Sequence, residues 1–223
     1  MDKMYKLDGV KPPACWEDKQ SFKINHGLVE IFKKACQSGK FMGKELQEML
    51  FPKGKQCVFL SHAHDDFSKA CYVKAVIESQ MSQYEVFIDS LYWQHVRKAQ
   101  AKLEKEYRAD SVAEHLHAML FTALAQMIQS CKCFIFVETE GSITMSDVRG
   151  SRYTHSPWIY FELQMASLLL KQRKIGRLDE SFGLESQDFK PMPCYYGVED
   201  ILASGRMTPI KLEELLKKLS GIA

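Results

Sequence analysis

No apolar run in the chain reaches the roughly 18–20 residues of a helical membrane span. The stretch Met1 to Lys11 is polar and charged, unlike the apolar heart of a secretory leader. Charge is equally unconcentrated. Lys and Arg are interspersed with Asp and Glu to a formal net charge of +2, which gives no electrostatic case for nucleic acid or a membrane as partner. The cysteines form no framework: Cys15, Cys36, Cys57, Cys71, Cys131, Cys133 and Cys194 are odd in number and scattered. Several sit in apolar runs, where a thiol behaves as a small hydrophobe. Such usage suits a reducing compartment and predicts a cytoplasmic protein without disulfides. Cys131-Lys132-Cys133 has no second pair to complete a metal site, so no metal is expected. There is no internal repeat, and residues 1–50 carry no recognisable chemistry.

What is present is apolar material: 46% of 223 residues, enough for one large domain or a domain with an extension. Residues 1–54 read as a helical N-terminal extension. Pro12-Pro13 interrupts it early, Leu28 to Ala35 and Lys44 to Leu50 are amphipathic helix candidates, and Phe51-Pro52-Lys53-Gly54 is a closing turn. From residue 55 to 223 a different rhythm begins. Cys57 to Leu60, Tyr84 to Ile88 and Cys131 to Val137 are short apolar runs of the kind that form strands buried on both faces. Pro193 to Tyr196 is a candidate fourth strand. Helices are expected at Phe67 to Ser79, at Asp110 to Ser130, from Pro157 onward, and from Thr208-Pro209 to Gly221. Strands alternating with helices imply an α/β fold, a parallel sheet with helices on both faces. Ligands in such sheets bind beyond the carboxyl ends of the strands. That rule selects Ser61 to Asp66, Asp89 to Trp93, and the Glu138 to His155 loop.

The last loop leads into Ser156-Pro157-Trp158-Ile159-Tyr160-Phe161-Glu162. Ser156 is suited to accept a backbone N–H as N-cap, and Pro157 at the first helical position loses nothing by lacking one. At about 100° per residue, Trp158, Glu162, Met165 and Leu169 share the inward side, and Tyr160, Gln164, Ser167 and Lys171 the solvent side. Glu162 therefore points inward. A carboxylate there is costly unless paired. It is either a core residue bonded to a backbone group or an Arg, or a working group. Its place at the ligand edge favours the second.

The segments Cys57-Val58-Phe59-Leu60-Ser61-His62, Val86-Phe87-Ile88-Asp89 and Ser156-x-Trp158-x-x-x-Glu162, in that order, resemble a TIR (Toll/interleukin-1 receptor) domain. The resemblance is closest to the enzymatic TIR domains of bacterial defence proteins and of the animal axon-degeneration NADase. It covers roughly residues 55–220 and excludes what precedes them. It implies a flavodoxin-like sheet of about five parallel strands, and cleavage of NAD+ at the nicotinamide–ribose bond as a step in antiviral defence signalling. The implied catalytic residue is Glu162. Ser61, His62, His64, Asp89, Trp93 and Trp158 are the implied substrate contacts, with NAD+ as substrate and no cofactor. The implied partners are other TIR domains, by self-association, and a downstream effector that responds to the product. One departure is the loop after the second strand, which lacks the Pro-Gly of receptor-type TIR domains and carries the charged segment Gln94 to Arg108 instead.

The chemistry is consistent with a single carboxylate. Nicotinamide leaves a pyridinium riboside as a neutral molecule, so it needs no proton, whereas most glycosidases need two carboxylates. Glu162 would steady the positive charge growing on the ribose. Water would then give ADP-ribose, and attack by the adenine of the same molecule a cyclic ADP-ribose. Two other readings stay open. One is a TIR scaffold that assembles without chemistry; the other is an enzyme like the nucleoside 2-deoxyribosyltransferases, which also use a glutamate on a similar fold. The packing alternatives also stand: Trp158 as a core residue, His62 and His64 as solvent-facing, Asp89 and Ser61 as caps.

Overall fold

The computed structural model describes residues 3–14, 16, 56–91, 100–101, 103–105, 107–145, 152–170, 196–202, 205 and 207–221. Five strands form the main sheet: β1 (Lys3–Leu7), β2 (Gln56–Ser61), β3 (Tyr84–Phe87), β4 (Cys133–Val137) and, late in the chain, Met207–Ile210. Three short strands, β5 (Thr144–Met145), β6 (Arg152–Thr154) and β7 (Tyr196–Gly197), make a separate antiparallel sheet, so the late strand is β8. The helices are α1 (Phe67–Gln80), α2 (Ala109–Ser130), α3 (Pro157–Leu170), α4 (Glu199–Leu202) and α5 (Leu212–Ser220). The main sheet runs β3-β2-β4-β1-β8 and every neighbouring pair is parallel. The α/β class and parallel sheet expected from the sequence are present, with the five strands that the resemblance implies.

Side chains alternate across this sheet. Phe59, Phe87, Phe134, Phe136, Met4 and Met207 pack on one side with Leu124, Met127 and Ile128 of α2 and Ile159, Leu163 and Ala166 of α3. Val58, Leu60, Val86, Ile135, Val137, Tyr5 and Leu7 pack on the other with Ala70, Val73 and Ile77 of α1 and Leu215 and Leu219 of α5. Both faces are covered, which is why the central runs read as continuously apolar.

Three expectations need correction. Residues 1–54 are not an extension outside the sheet, because Lys3–Leu7 is an inner strand paired to β4 and to β8. Its lysines disguise it. Lys3 is exposed, and Lys6 reaches past the strand end to Glu138 at 2.8 Å, leaving Met4, Tyr5 and Leu7 buried. The helix candidates of residues 28–50 and the turn at 51–54 lie outside the described residues. Thr208-Pro209 does not open a helix; it lies in β8, and α5 starts at Leu212. A proline is tolerated there because β8 is the edge strand of the sheet among the described residues. Finally, Tyr196 belongs to β7 of the small antiparallel sheet and not to the parallel one; residues 193–195 and Lys171 lie outside the described residues.

Candidate active site

The strand alternation that places Phe59 and Phe87 against α2 and α3 places Ser61 and Asp89, two residues further on, toward the same side. Ser61 pairs with Phe136, which pairs in turn with Lys6 of β1. A row of strand-end residues therefore crosses the sheet edge beneath the start of α3.

Glu162 comes to that row from above. Ser156 caps α3 as its sequence predicts, its Oγ accepting the Ile159 N–H at 3.3 Å, and the Tyr160 N–H donates to the Ser156 carbonyl at 3.1 Å. Ile159, Leu163 and Ala166 seat the helix on the sheet, with Glu162 beside them at 2% exposure. The expected solvent side is only partly wet: Ser167 is buried and Tyr160 stacks on Tyr196 with centroids 4.8 Å apart. Helix packing against the small sheet covers that flank.

Ser61 Oγ donates to Glu162 Oε2 at 2.5 Å, joining the end of β2 to the second turn of α3. Glu162 Oε1 is buried and makes no hydrogen bond of good geometry among the described residues. Asp89 lies beside it and acts on it by charge. Burial foremost, and then Asp89, push the Glu162 carboxyl well above the usual range, and the Ser61 hydroxyl opposes them. Asp89 Oδ1 accepts from the Ser90 N–H at 2.7 Å and from Ser90 Oγ at 3.4 Å. Ser90 Oγ also meets His62 Nε2 at 2.9 Å, and His62 Nδ1 stands 4.0 Å from Asp89 Oδ1. Burial holds the His62 imidazole below its ordinary range, against the pull of Asp89 and Asp66. The result is one polar row, from buried His62 through half-buried Ser90 to buried Asp89, Glu162 and Ser61.

Of the residues singled out in the sequence, the structure brings together Ser61, His62, Asp89 and Glu162. His62 is buried and does not face solvent. His64 is exposed, in a single 3-10 turn, and stays outside the polar row. Trp158 is a helix-packing residue: its ring stacks on Phe121 of α2 at 4.6 Å and 18°. Phe121 thus occupies one face of the ring, which supports the packing alternative for Trp158. Trp93 lies outside the described residues.

Three groups escaped the sequence reading. Ser90 was visible only as a strand-end polar residue. Asp66 is buried, bound to Lys69 at 2.6 Å and to the Thr139 hydroxyl, and so ties the loop after β2 to the loop after β4. Lys6 joins Glu138, and Arg152 of β6 joins Glu138 at 3.9 Å and Glu199 at 2.9 Å, a charged rim linking the two sheets. Among the described residues, no cluster of three or more His, Cys, Asp or Glu is placed to hold a metal ion. Among them, too, no helix is long and apolar enough to cross a membrane. No family model, no curated protein and no solved structure matches the chain, so the site is read from its own residues.

Proposed function

We propose that this chain is a TIR-like NAD+ glycohydrolase or cyclase, with Glu162 as its catalytic residue. The observation that carries the reading is the buried Glu162 carboxyl, bound by Ser61 at 2.5 Å where ligands of parallel α/β sheets bind. The substrate is a pyridinium riboside. Its fixed positive charge favours the ionised form of a nearby carboxyl, so NAD+ binding draws the proton off Glu162 and creates the anion where it is needed. The carboxylate then opposes the charge that spreads onto ribose C1′ as nicotinamide leaves. Ser61 orients the carboxyl, and Asp89 fixes the local field. The product is ADP-ribose, or its cyclic form when the adenine captures C1′, and it acts on a downstream effector in antiviral defence. Self-association through TIR-like contacts completes the active form, so turnover per protomer rises with protein concentration and light scattering detects the assembly.

The test is to incubate the purified protein with NAD+ and separate the products, alongside Glu162→Gln. Release of nicotinamide by the native chain and its loss in the variant support the reading. Equal release by a well-folded Glu162→Gln protein removes the catalytic assignment. One observation favours a second reading, the non-enzymatic TIR scaffold. A carboxyl raised by burial and hydrogen-bonded to a serine is also what a neutral structural core residue looks like. Under that reading neither protein releases nicotinamide, and both self-associate alike.

A further inference from the structure

Cleavage of a pyridinium riboside needs one carboxylate, yet the site holds two carboxyls. Asp89 follows β3 and shares a sheet face with Ser61; Glu162 descends from α3 onto the same spot. Both are buried, at 9% and 2% exposure. Two adjacent carboxyls out of water do not both ionise; one retains a proton. The Ser90 N–H and hydroxyl already donate to Asp89 Oδ1, and burial, with Asp89 beside it, favours the protonated form of Glu162. Among the described residues, the other titratable groups facing the pair are His62, held below its ordinary range by burial, and beyond it Asp66 and the exposed His64.

We propose that Asp89 and Glu162 work as an acid–base pair, and that the site therefore also cleaves N-ribosides whose base leaves as an anion unless protonated, such as purine nucleosides and their 5′-monophosphates. The inference rests on the assignment of N-riboside cleavage to this site. In the step, the protonated carboxyl gives its proton to a ring nitrogen of the base. The C1′–N bond breaks with its electron pair going to the base, and the remaining carboxylate faces the ribosyl cation. Water adds to C1′ and returns one proton to the carboxyl that lost it. Riboside and water become free sugar and free base, and the pair is restored.

The experiment compares NAD+, adenosine and adenosine 5′-monophosphate as substrates for the native chain, Asp89→Asn and Asp89→Glu, with thermal unfolding recorded on each sample. The native chain is expected to release adenine as well as nicotinamide. Cleavage of adenosine and its 5′-monophosphate should follow a bell-shaped pH profile, and NAD+ cleavage should rise to a plateau. Asp89→Asn should shift the ratio of the two rates toward NAD+ by at least about tenfold, within the ~10²–10⁴-fold span of a general acid–base contribution. Asp89→Glu should recover part of the loss. Nicotinamide release without adenine release overturns the pair while leaving the NAD+ reading intact. An unchanged ratio in folded Asp89→Asn also overturns it. Release of neither base removes both readings.

Discussion

A carboxyl buried as deeply as Glu162 costs the fold more the more fully it is ionised. Its folded-state pKa lies above the unfolded value, so at intermediate pH the folded chain binds the extra proton. The associated stability is fully present below the unfolded value of about 4.3 and is lost as pH rises through the raised one. Glu162→Gln keeps the volume and an acceptor for Ser61 while removing that titration. The variant is therefore expected to gain in melting temperature relative to the native chain as pH is raised from about 5 to about 9, and to lose activity by ~10²–10³-fold. Paired thermal unfolding and NAD+ turnover check both; a stability gap that narrows with rising pH would contradict the sign. Ser61→Ala tests the opposite contact. It removes a bond that favours the anion and should cost about 1–3 kcal/mol by denaturant titration, while moving the rising limb of the pH–rate profile to higher pH. Glu162 and its helix start were legible in the sequence because a cap, a proline and a stripe are local signals. The closeness of Asp89 to Glu162 was not, because it is set by packing between a strand end and a distant helix.

At the scale of elements, α3 is held by two different surfaces. Ile159, Leu163 and Ala166 press on the sheet, while Trp158 and Phe161 close around Phe121 of α2. That aromatic contact ties the first turns of α3, and with them Glu162, to α2. Trp158→Ala is expected to cost about 3 kcal/mol, the low end for truncating a buried aromatic, because the ring is only half-buried. Trp158→Phe keeps a stacking surface and should cost less than about 1.5 kcal/mol. Michaelis constants decide between packing and substrate contact. A packing residue leaves KM for NAD+ nearly unchanged in Trp158→Phe, and a stacking contact raises it. The buried strands β2, β3 and β4 and helices α1 and α2 were legible in the sequence, their apolar periods being strong and uninterrupted. β8 was not: a threonine and a proline ahead of an amphipathic run are the ordinary start of a helix, and it is the place of β8 at the edge of the sheet, among the described residues, that allows the alternative.

The molecule as a whole closes its sheet in an unusual chain order. A flavodoxin-like sheet runs 2-1-3-4-5. Here the first, second, third and fifth places fall to β2, β3, β4 and β8, and the fourth is filled by β1 from the start of the chain. The sequence hid this because five residues with two lysines give a weak strand signal, and because the three recognisable motifs all lie later. The consequence is thermodynamic. β1 pairs along its whole length with β4 and over four residues with β8, and it buries Met4, Tyr5 and Leu7 at 2%, 3% and 0% exposure. Each such side chain contributes about 1.5–3 kcal/mol, against a total stability of about 5–15 kcal/mol for a typical domain. Removing the strand also frees edges on β4 and β8 and strips Glu138 of its partner Lys6. A chain beginning at residue 55 is therefore expected not to fold, although it contains every motif of the site. Leu7→Ala in the full chain should cost about 2–5 kcal/mol and still unfold in one transition. Circular dichroism and denaturant unfolding of the full chain, Leu7→Ala and the truncated chain measure this directly. A truncated chain with native near-ultraviolet signal and a midpoint close to that of the full chain would make β1 an appendage, and the sheet would then have to be stable with a gap at its fourth place.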